Sequence, residues 1–159
     1  WRLELVDSSV NRSLTALEER EGPATFPRGW VRHAFHDMTL VGRASYLLKH
    51  ADELGYRAFE EAGRTFTESF ISMRDELRVS RPEIDAAVEA CLAHGALGAR
   101  IVGGGFGGAV MALVKTSRLE ETAQAIAQAY AEHGYAEPRF LPMVAGFPAD
   151  YDWLSENFR

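Results

Sequence analysis

Gly98-Ala99-Arg100-Ile101-Val102-Gly103-Gly104-Gly105-Phe106-Gly107-Gly108-Ala109-Val110-Met111-Ala112-Leu113-Val114 is the stretch on which the fold turns. Five glycines crowd the six positions 103–108, between two short and mostly apolar arms. Gly103, Gly105 and Gly108 spell a literal G-x-G-x-x-G. A dinucleotide fingerprint, however, needs a helix after its glycines, with the pyrophosphate at the helix N-terminus. Here the glycines run straight into Ala109–Val114, whose unbroken apolar character reads as a buried strand. No Gly-Lys-Ser/Thr closes the loop as a Walker A sequence would. The stretch is therefore expected to be a glycine hairpin between two buried strands. A two-residue hairpin turn needs only one or two glycines, and each further glycine forfeits roughly 0.5–1 kcal/mol relative to alanine in regular structure. The surplus points to a ligand approaching bare backbone, such as an anion held by successive N–H groups. Phe106, in the middle, is expected to anchor the loop into the core.

Upstream, Ser80-Arg81-Pro82-Glu83 reads as a helix start, with Ser80 as N-cap and Glu83 completing a capping box. Ile84, Ala87, Val88, Cys91 and Leu92 form that helix's apolar face, and Gly95 ends it. Before it, Phe59, Ala62, Phe66, Phe70, Met73 and Leu77 advance by threes and fours and predict a helix from Tyr56 to Leu77. Val31, Ala34, Phe35, Met38, Val41, Ala44 and Leu48 do the same for Trp30–His50. A break at Gly55 should fold the two into an antiparallel αα-hairpin. Downstream, Ser117 is expected to cap a fourth helix that carries Glu120 and Glu121 in its first turn, where the helix dipole favours them, and ends at Gly134. Arg139–Val144 reads as an edge strand, because Pro142 cannot donate to an inner ladder. At the other end Trp1–Val6 alternates like a half-buried strand, Val10–Leu14 continues as a second strand or a turn, and residues 20–29 form a loop with Pro23 and Pro27. The predicted class is α+β: two layers, a mostly antiparallel sheet with helices packed on one face.

The 159 residues suit one domain, or one and a fragment, and the 47% hydrophobic and 25% charged content is that of a globular protein. No apolar run approaches the roughly 18 residues of a membrane span. Cys91 is the single cysteine, which excludes an internal disulfide and fits a reducing compartment; it is read as inert packing. A net charge of −6 argues against a nucleic-acid partner, although Phe106 among glycines superficially resembles an RNA-binding strand. No basic-then-apolar leader is read at the start, so a cytoplasmic location is expected. The first residue, Trp1, suggests a piece of something longer, with residues 1–29 the end of a preceding lobe and its linker, and 30–159 the domain proper. His33, His36 and Asp37 could cluster around a metal but are read as a surface polar stripe, so no metal site is expected. Arg74 and Asp75 are adjacent, and neighbours on an α-helix do not face each other, so each is expected to have its own partner.

Gly98–Gly108 with the apolar strand behind it resembles the third motif of the GHMP small-molecule kinases, in the form galactokinases carry. Glu68-Ser69-Phe70-Ile71-Ser72-Met73-Arg74-Asp75-Glu76, followed by Val79-Ser80-x-Pro82-Glu83-Ile84-Asp85, is similar to the galactokinase helix and turn before that motif. Asp7-Ser8-Ser9-Val10 with Arg12-Ser13-Leu14 resembles the strand where one galactokinase lobe hands over to the next. Arg32, His36 and Arg43 fall where the family has a basic helix. The resemblance implies the ferredoxin-like C-terminal domain of roughly the C-terminal half of a galactokinase. It also implies transfer of the γ-phosphoryl group of MgATP to galactose, in a cleft between this domain and its N-terminal lobe. Gly103, Gly104, Gly105, Phe106, Gly107 and Gly108 would then lie beside the phosphates, with Ser69, Arg74, Asp75 and Arg100 as support. ATP, Mg2+ and a sugar are the implied small molecules. The family's sugar-binding segment, serine-rich phosphate loop and catalytic aspartate have no counterpart in this sequence, so the polypeptide alone is expected to be inactive, with no catalytic residue of its own. The family's Tyr-Asn-x-Arg-Arg segment is also missing, Leu40 stands at a usual glutamate, and Ala109 at a frequent cysteine. A GHMP kinase for another sugar or polyol, or a non-catalytic galactokinase-like sugar sensor, are the alternatives.

Overall fold

The computed structural model describes residues 28–106 and 108–143, together with residues 12, 15, 16, 19 and 20. Those five isolated positions are helical, so the strand or turn expected over 10–14 is a helix at Arg12. The strand expected at 1–6, residues 21–27 of the expected loop and Val144 of the expected edge strand lie outside the described residues.

Helix α1 (Arg28–Lys49) and helix α3 (Tyr56–Ser72) form the predicted hairpin, joined by the single-turn α2 (Ala51–Leu54) and by Gly55 at φ +65°. The pairs Arg32–Glu76, His33–Ser72 and Arg43–Glu61 link the two sides in reverse order, which makes them antiparallel. The face that α1 turns inward shares only Ala44 with the predicted stripe. Leu40 and Ala44 are its buried residues, whereas Phe35, Met38, Val41 and Leu48 are exposed. The inner face instead runs His33, Asp37, Leu40, Ala44, an equally regular helical spacing. Its two polar members find hydroxyl partners on α3 and so can face inward. Of the expected surface stripe, His33 and Asp37 are thus half-buried against α3. On α3 the predicted face is the buried one, with Ala62, Phe70 and, just beyond, Met73 all in the interior, though Phe59 stays exposed.

The last turn, Met73–Leu77, widens into a π-helical segment that Arg78 closes in the left-handed conformation (φ +58°). Helix α4 (Pro82–Ala93) follows. Its N-cap is Arg81, not Ser80, because Pro82, with its fixed φ and missing N–H, takes the first helical position. The Ser80 hydroxyl donates to Asp85 at 2.6 Å instead. Ile84, Ala87, Val88 and Cys91 face inward as predicted, while Leu92 is exposed. Strands β1 (Gly98–Ile101) and β2 (Val110–Leu113) pair antiparallel, Gly98 with Leu113 and Ile101 with Val110. Thr116–Arg118 is a 3-10 turn, so α5 (Leu119–His133) begins after it with Arg118 as N-cap and without the predicted Ser117 cap. Gly134 closes α5 in the left-handed conformation. Residues 135–143 form neither helix nor strand. Pro138 and Pro142 withhold two ladder donors there, and the expected edge strand does not form.

The chain is α+β, with a two-stranded antiparallel sheet among the described residues. Its core joins Phe70, Met73, Val79, Ile84, Val88, Cys91, Ala99 and Ile101, so α3, α4 and β1 share one interior. One contact fixes the position of β1 tightly. A Cβ on Gly98 would lie 1.8 Å from the Gly63 carbonyl oxygen, and one on Gly63 would lie 2.3 Å from the Leu97 carbonyl oxygen. Helix and strand therefore touch backbone to backbone, which only glycine on both sides allows.

Candidate functional site

The loop between β1 and β2 begins after the last bridge at Val102, whose N–H donates to the Ala109 carbonyl at 3.0 Å. Gly103 (φ +79°), Gly105 (φ +92°) and Phe106 (φ +52°) are all left-handed. For glycine this costs nothing; for phenylalanine it costs roughly 1–2 kcal/mol. Phe106 is also 65% exposed, so the expected core anchor is overturned. The left-handed backbone turns the ring outward, and the loop is tied down at its main chain instead. The Phe106 N–H donates to the Val79 carbonyl at 2.9 Å. At Gly105 a Cβ would fall 2.2 Å from Val79 Cβ. Within 103–106, the three glycine amides have no backbone acceptor among the described residues. Gly107 lies outside the described residues.

Gly104 and Gly108 differ from their neighbours. Neither has a left-handed backbone, and a Cβ added to either would meet nothing within 4 Å. The chain's own conformation and packing do not demand glycine there. Gly108 also lines a groove of about 210 Å³ between β2, α4, α5 and residues 138–142.

Behind the loop, a polar chain runs along the α1–α3 seam. The Ser69 hydroxyl, fully buried, donates to Asp37 Oδ1. Arg100 on β1 places its guanidinium 3.6 Å from the same carboxylate oxygen and donates to the Ile101 carbonyl at 3.3 Å. Ser72 donates to Glu76 Oε2 at 3.2 Å, and Glu76 is also held by Arg32. With its one proton committed there, the Ser72 hydroxyl accepts from His33 Nδ1 at 3.0 Å, which fixes the imidazole tautomer. Burial pushes the His33 pKa below its ordinary value, and Asp37 and Glu76 only partly offset this. The described side chains include no group of three metal-ligating residues.

Of the expected supporting residues, Ser69 and Arg100 come together through Asp37. Arg74 and Asp75 do not join them. They pair with each other, Arg74 Nε to Asp75 Oδ1 at 2.7 Å, and both stay largely exposed. The expectation of separate partners rested on α-helical geometry; these two sit in the wider π segment, where the guanidinium reaches its neighbour. Their hydrogen bond raises the Arg74 pKa and lowers that of Asp75. The guanidinium also lies 5.5 Å from the centre of the Phe70 ring. Val79 was missed as a site residue, and Asp37 figured only in the surface polar stripe. The spacing His33–Asp37–Leu40–Ala44 was the available signal for Asp37. Val79 gives none, since it acts through its carbonyl.

Comparison with known proteins follows the same lines. The family described as GHMP kinases C terminal matches residues 32–136. The galactokinase of Streptomyces coelicolor is 38% identical over 131 residues, which is 82% of this chain and 32% of that protein. Galactokinase of Mycobacterium tuberculosis is 40% identical over 108 residues, 68% of this chain and 29% of that protein. The crystal structure of Lactococcus lactis galactokinase complexed with galactose superimposes with a TM-score of 0.62 at 30% identity, covering 79% of this chain and 31% of that one. The L. major mevalonate kinase structure, at a TM-score of 0.51 and 21% identity, is alike in fold alone. The chain thus spans about a third of the length of the relatives it matches. A glycine hairpin set against an α1–α3 hairpin, within a match that covers residues 32–136, makes this chain a member of the GHMP kinases, of which it carries the C-terminal domain.

Proposed function

We propose that this chain is the C-terminal domain of a galactokinase-like sugar kinase, and that its glycine loop forms one wall of the site where ATP donates its γ-phosphoryl group to galactose. The observation that carries the reading is the glycine at positions 104 and 108, where neither backbone nor packing asks for it. Bare main chain facing open space suits a phosphate, because phosphoryl transfer depends on positioning and on donors aimed at developing charge. Gly103, Gly104 and Gly105 offer amides with no backbone acceptor among the described residues, and such a run of N–H groups makes a nest for an anion.

Ser69 and Arg100 act behind the loop through Asp37, holding β1 and therefore the loop's first arm. Arg74 and Asp75 are given no part beyond pairing with each other. Residues 1–29 are read as the end of the preceding lobe and 30–159 as the domain. In this reading the domain contributes loop amides toward the phosphates. The galactokinase resemblance assigns the ion, the catalytic aspartate and the sugar contacts to the N-terminal lobe. No helix among the described residues is long and apolar enough to cross a membrane, and a cytoplasmic setting fits the single, buried cysteine.

The test is ATP-dependent phosphorylation of a sugar panel by the full-length protein and by the 159-residue polypeptide. The full-length protein should convert galactose, and the polypeptide alone should be silent. Preference for another sugar or polyol would replace galactose in this reading. Sugar binding without turnover by the full-length protein would make it a sensor.

A further inference from the structure

The glycine loop is held by a strut outside the family's glycine motif. The two described non-glycine residues with left-handed backbones, Arg78 and Phe106, stand on either side of one hydrogen bond, which Phe106 donates and the residue after Arg78 accepts. Arg78 closes the π segment by donating its N–H to the Met73 carbonyl, and the next residue, Val79, donates to the same oxygen at 3.1 Å. This aims the Val79 carbonyl at the Phe106 N–H, 2.9 Å away. The Val79 side chain is 7% exposed and belongs to the main core cluster. Its Cβ and Cγ2 would lie 2.2 and 2.4 Å from a Cβ at position 105. Carbonyl and side chain thus grip the loop at successive residues. Strain at non-glycine positions persists only where the surroundings over-determine it, and such positions cluster at working sites. Here the surroundings are the π segment below and the core beside it.

We propose that Val79 is a positioning residue for phosphoryl transfer. Its carbonyl fixes the height of the loop, and its isopropyl group fixes the pitch at Gly105. Together they place the amides of Gly103 to Gly105 for the nucleotide's phosphates. The role rests on the kinase reading above; the strut itself does not.

Two measurements on the full-length protein test it. Hydrogen exchange of the Phe106 amide, followed on phenylalanine-labelled protein, reads the strut directly. Val79→Ala removes the wall and loosens the grip, so exchange at Phe106 should quicken by about tenfold, while Val79→Ile keeps the β-branched wall and should restore protection. Steady-state kinetics reads the role. Val79→Ala should raise KM for ATP by about tenfold, as a small displacement of positioning groups can, with KM for the sugar unchanged and Val79→Ile close to the parent. An unprotected Phe106 amide in the parent overturns the strut, and exchange unchanged by Val79→Ala overturns the part given to the isopropyl group. Faster exchange with both KM values and kcat unaltered overturns the positioning role and leaves a packing residue. Equal loss toward ATP and sugar, unrescued by isoleucine, also overturns it. If the parent protein transfers no phosphoryl group at all, the kinase reading fails, and the exchange experiment still decides the strut.

Discussion

Replacing Gly98 by alanine tests the contact that sets β1, and with it the glycine loop, against α3. The added Cβ would sit 1.8 Å from the Gly63 carbonyl oxygen, 2.3 Å from its carbon and 2.7 Å from its Cα, whereas ordinary contact begins at 3.4 Å. All three neighbours are backbone atoms of a helix interior, so no side-chain rotation relieves the clash. Strand and helix must separate by about 1.6 Å in the direction of the closest contact. Forcing one extra carbon into a packed interior costs about 1–3 kcal/mol, and a backbone-to-backbone collision belongs at the upper end. For a chain of this size about 3 kcal/mol corresponds to a melting temperature lower by roughly 6–12 °C. Gly42→Ala is the matched control. Its Cβ meets nothing within 4 Å on α1, so relief of glycine's helix penalty should stabilise by about 0.5–1 kcal/mol. Thermal unfolding followed by far-ultraviolet circular dichroism should therefore move in opposite directions for the two variants. A Gly98→Ala protein that melts with the parent would refute the close approach of α3 and β1.

Other perturbations separate packing from function. Gly104→Ala should leave the melting temperature within about 2 °C of the parent, since an exposed change away from packing stays within about 0.5 kcal/mol, yet raise KM for ATP in the full-length protein; an unaltered KM would remove Gly104 from the phosphate wall. Asp37→Ala strips the buried Ser69 hydroxyl of its acceptor and should cost about 1–3 kcal/mol in urea unfolding, whereas a neutral effect would mean the seam is held by its apolar residues alone. Because burial lowers the His33 pKa in the folded chain, the unfolded state binds more protons below about pH 6.5. Stability from this group is complete above that pH and declines as pH falls toward the folded value. His33→Gln should flatten that slope, and an unchanged slope between pH 7 and 5 would contradict the assignment. Burial pushes the Cys91 thiol up to about 11, so iodoacetamide at pH 8 should modify the native chain far more slowly than the urea-unfolded one; equal rates would place Cys91 at the surface.

The sequence was most legible where one physical signal dominated. Glycines flanked by apolar strands announced the hairpin, and the spacing from Ala62 to Met73 announced the buried face of α3. It misled on α1, where two helical faces compete. Phe35, Met38 and Val41 mark the more apolar face, but His33 and Asp37 can enter the interior because Ser69 and Ser72 satisfy them. Pairings between elements distant in sequence leave no local trace. Phe106 looked like an anchor because phenylalanine among glycines has few other uses. What turned it outward is a main-chain bond to Val79, 27 residues earlier in the chain. Ser80 and Ser117 fitted the composition of helix caps, but Pro82 and the 3-10 turn at Thr116–Arg118 moved the helix starts past them. The Arg74–Asp75 pair was misread because nothing in Met73–Leu77 signals a π segment.

The central claim is that bare amides around Gly104 face the phosphates of a nucleotide. Titration of MgATP into the full-length protein labelled at glycine nitrogen tests it directly. Resonances of Gly103, Gly104 and Gly105 should shift with saturation, while Gly55 and Gly134, which close helices elsewhere, should stay fixed. Saturable nucleotide binding that leaves those three loop resonances in place would contradict the account.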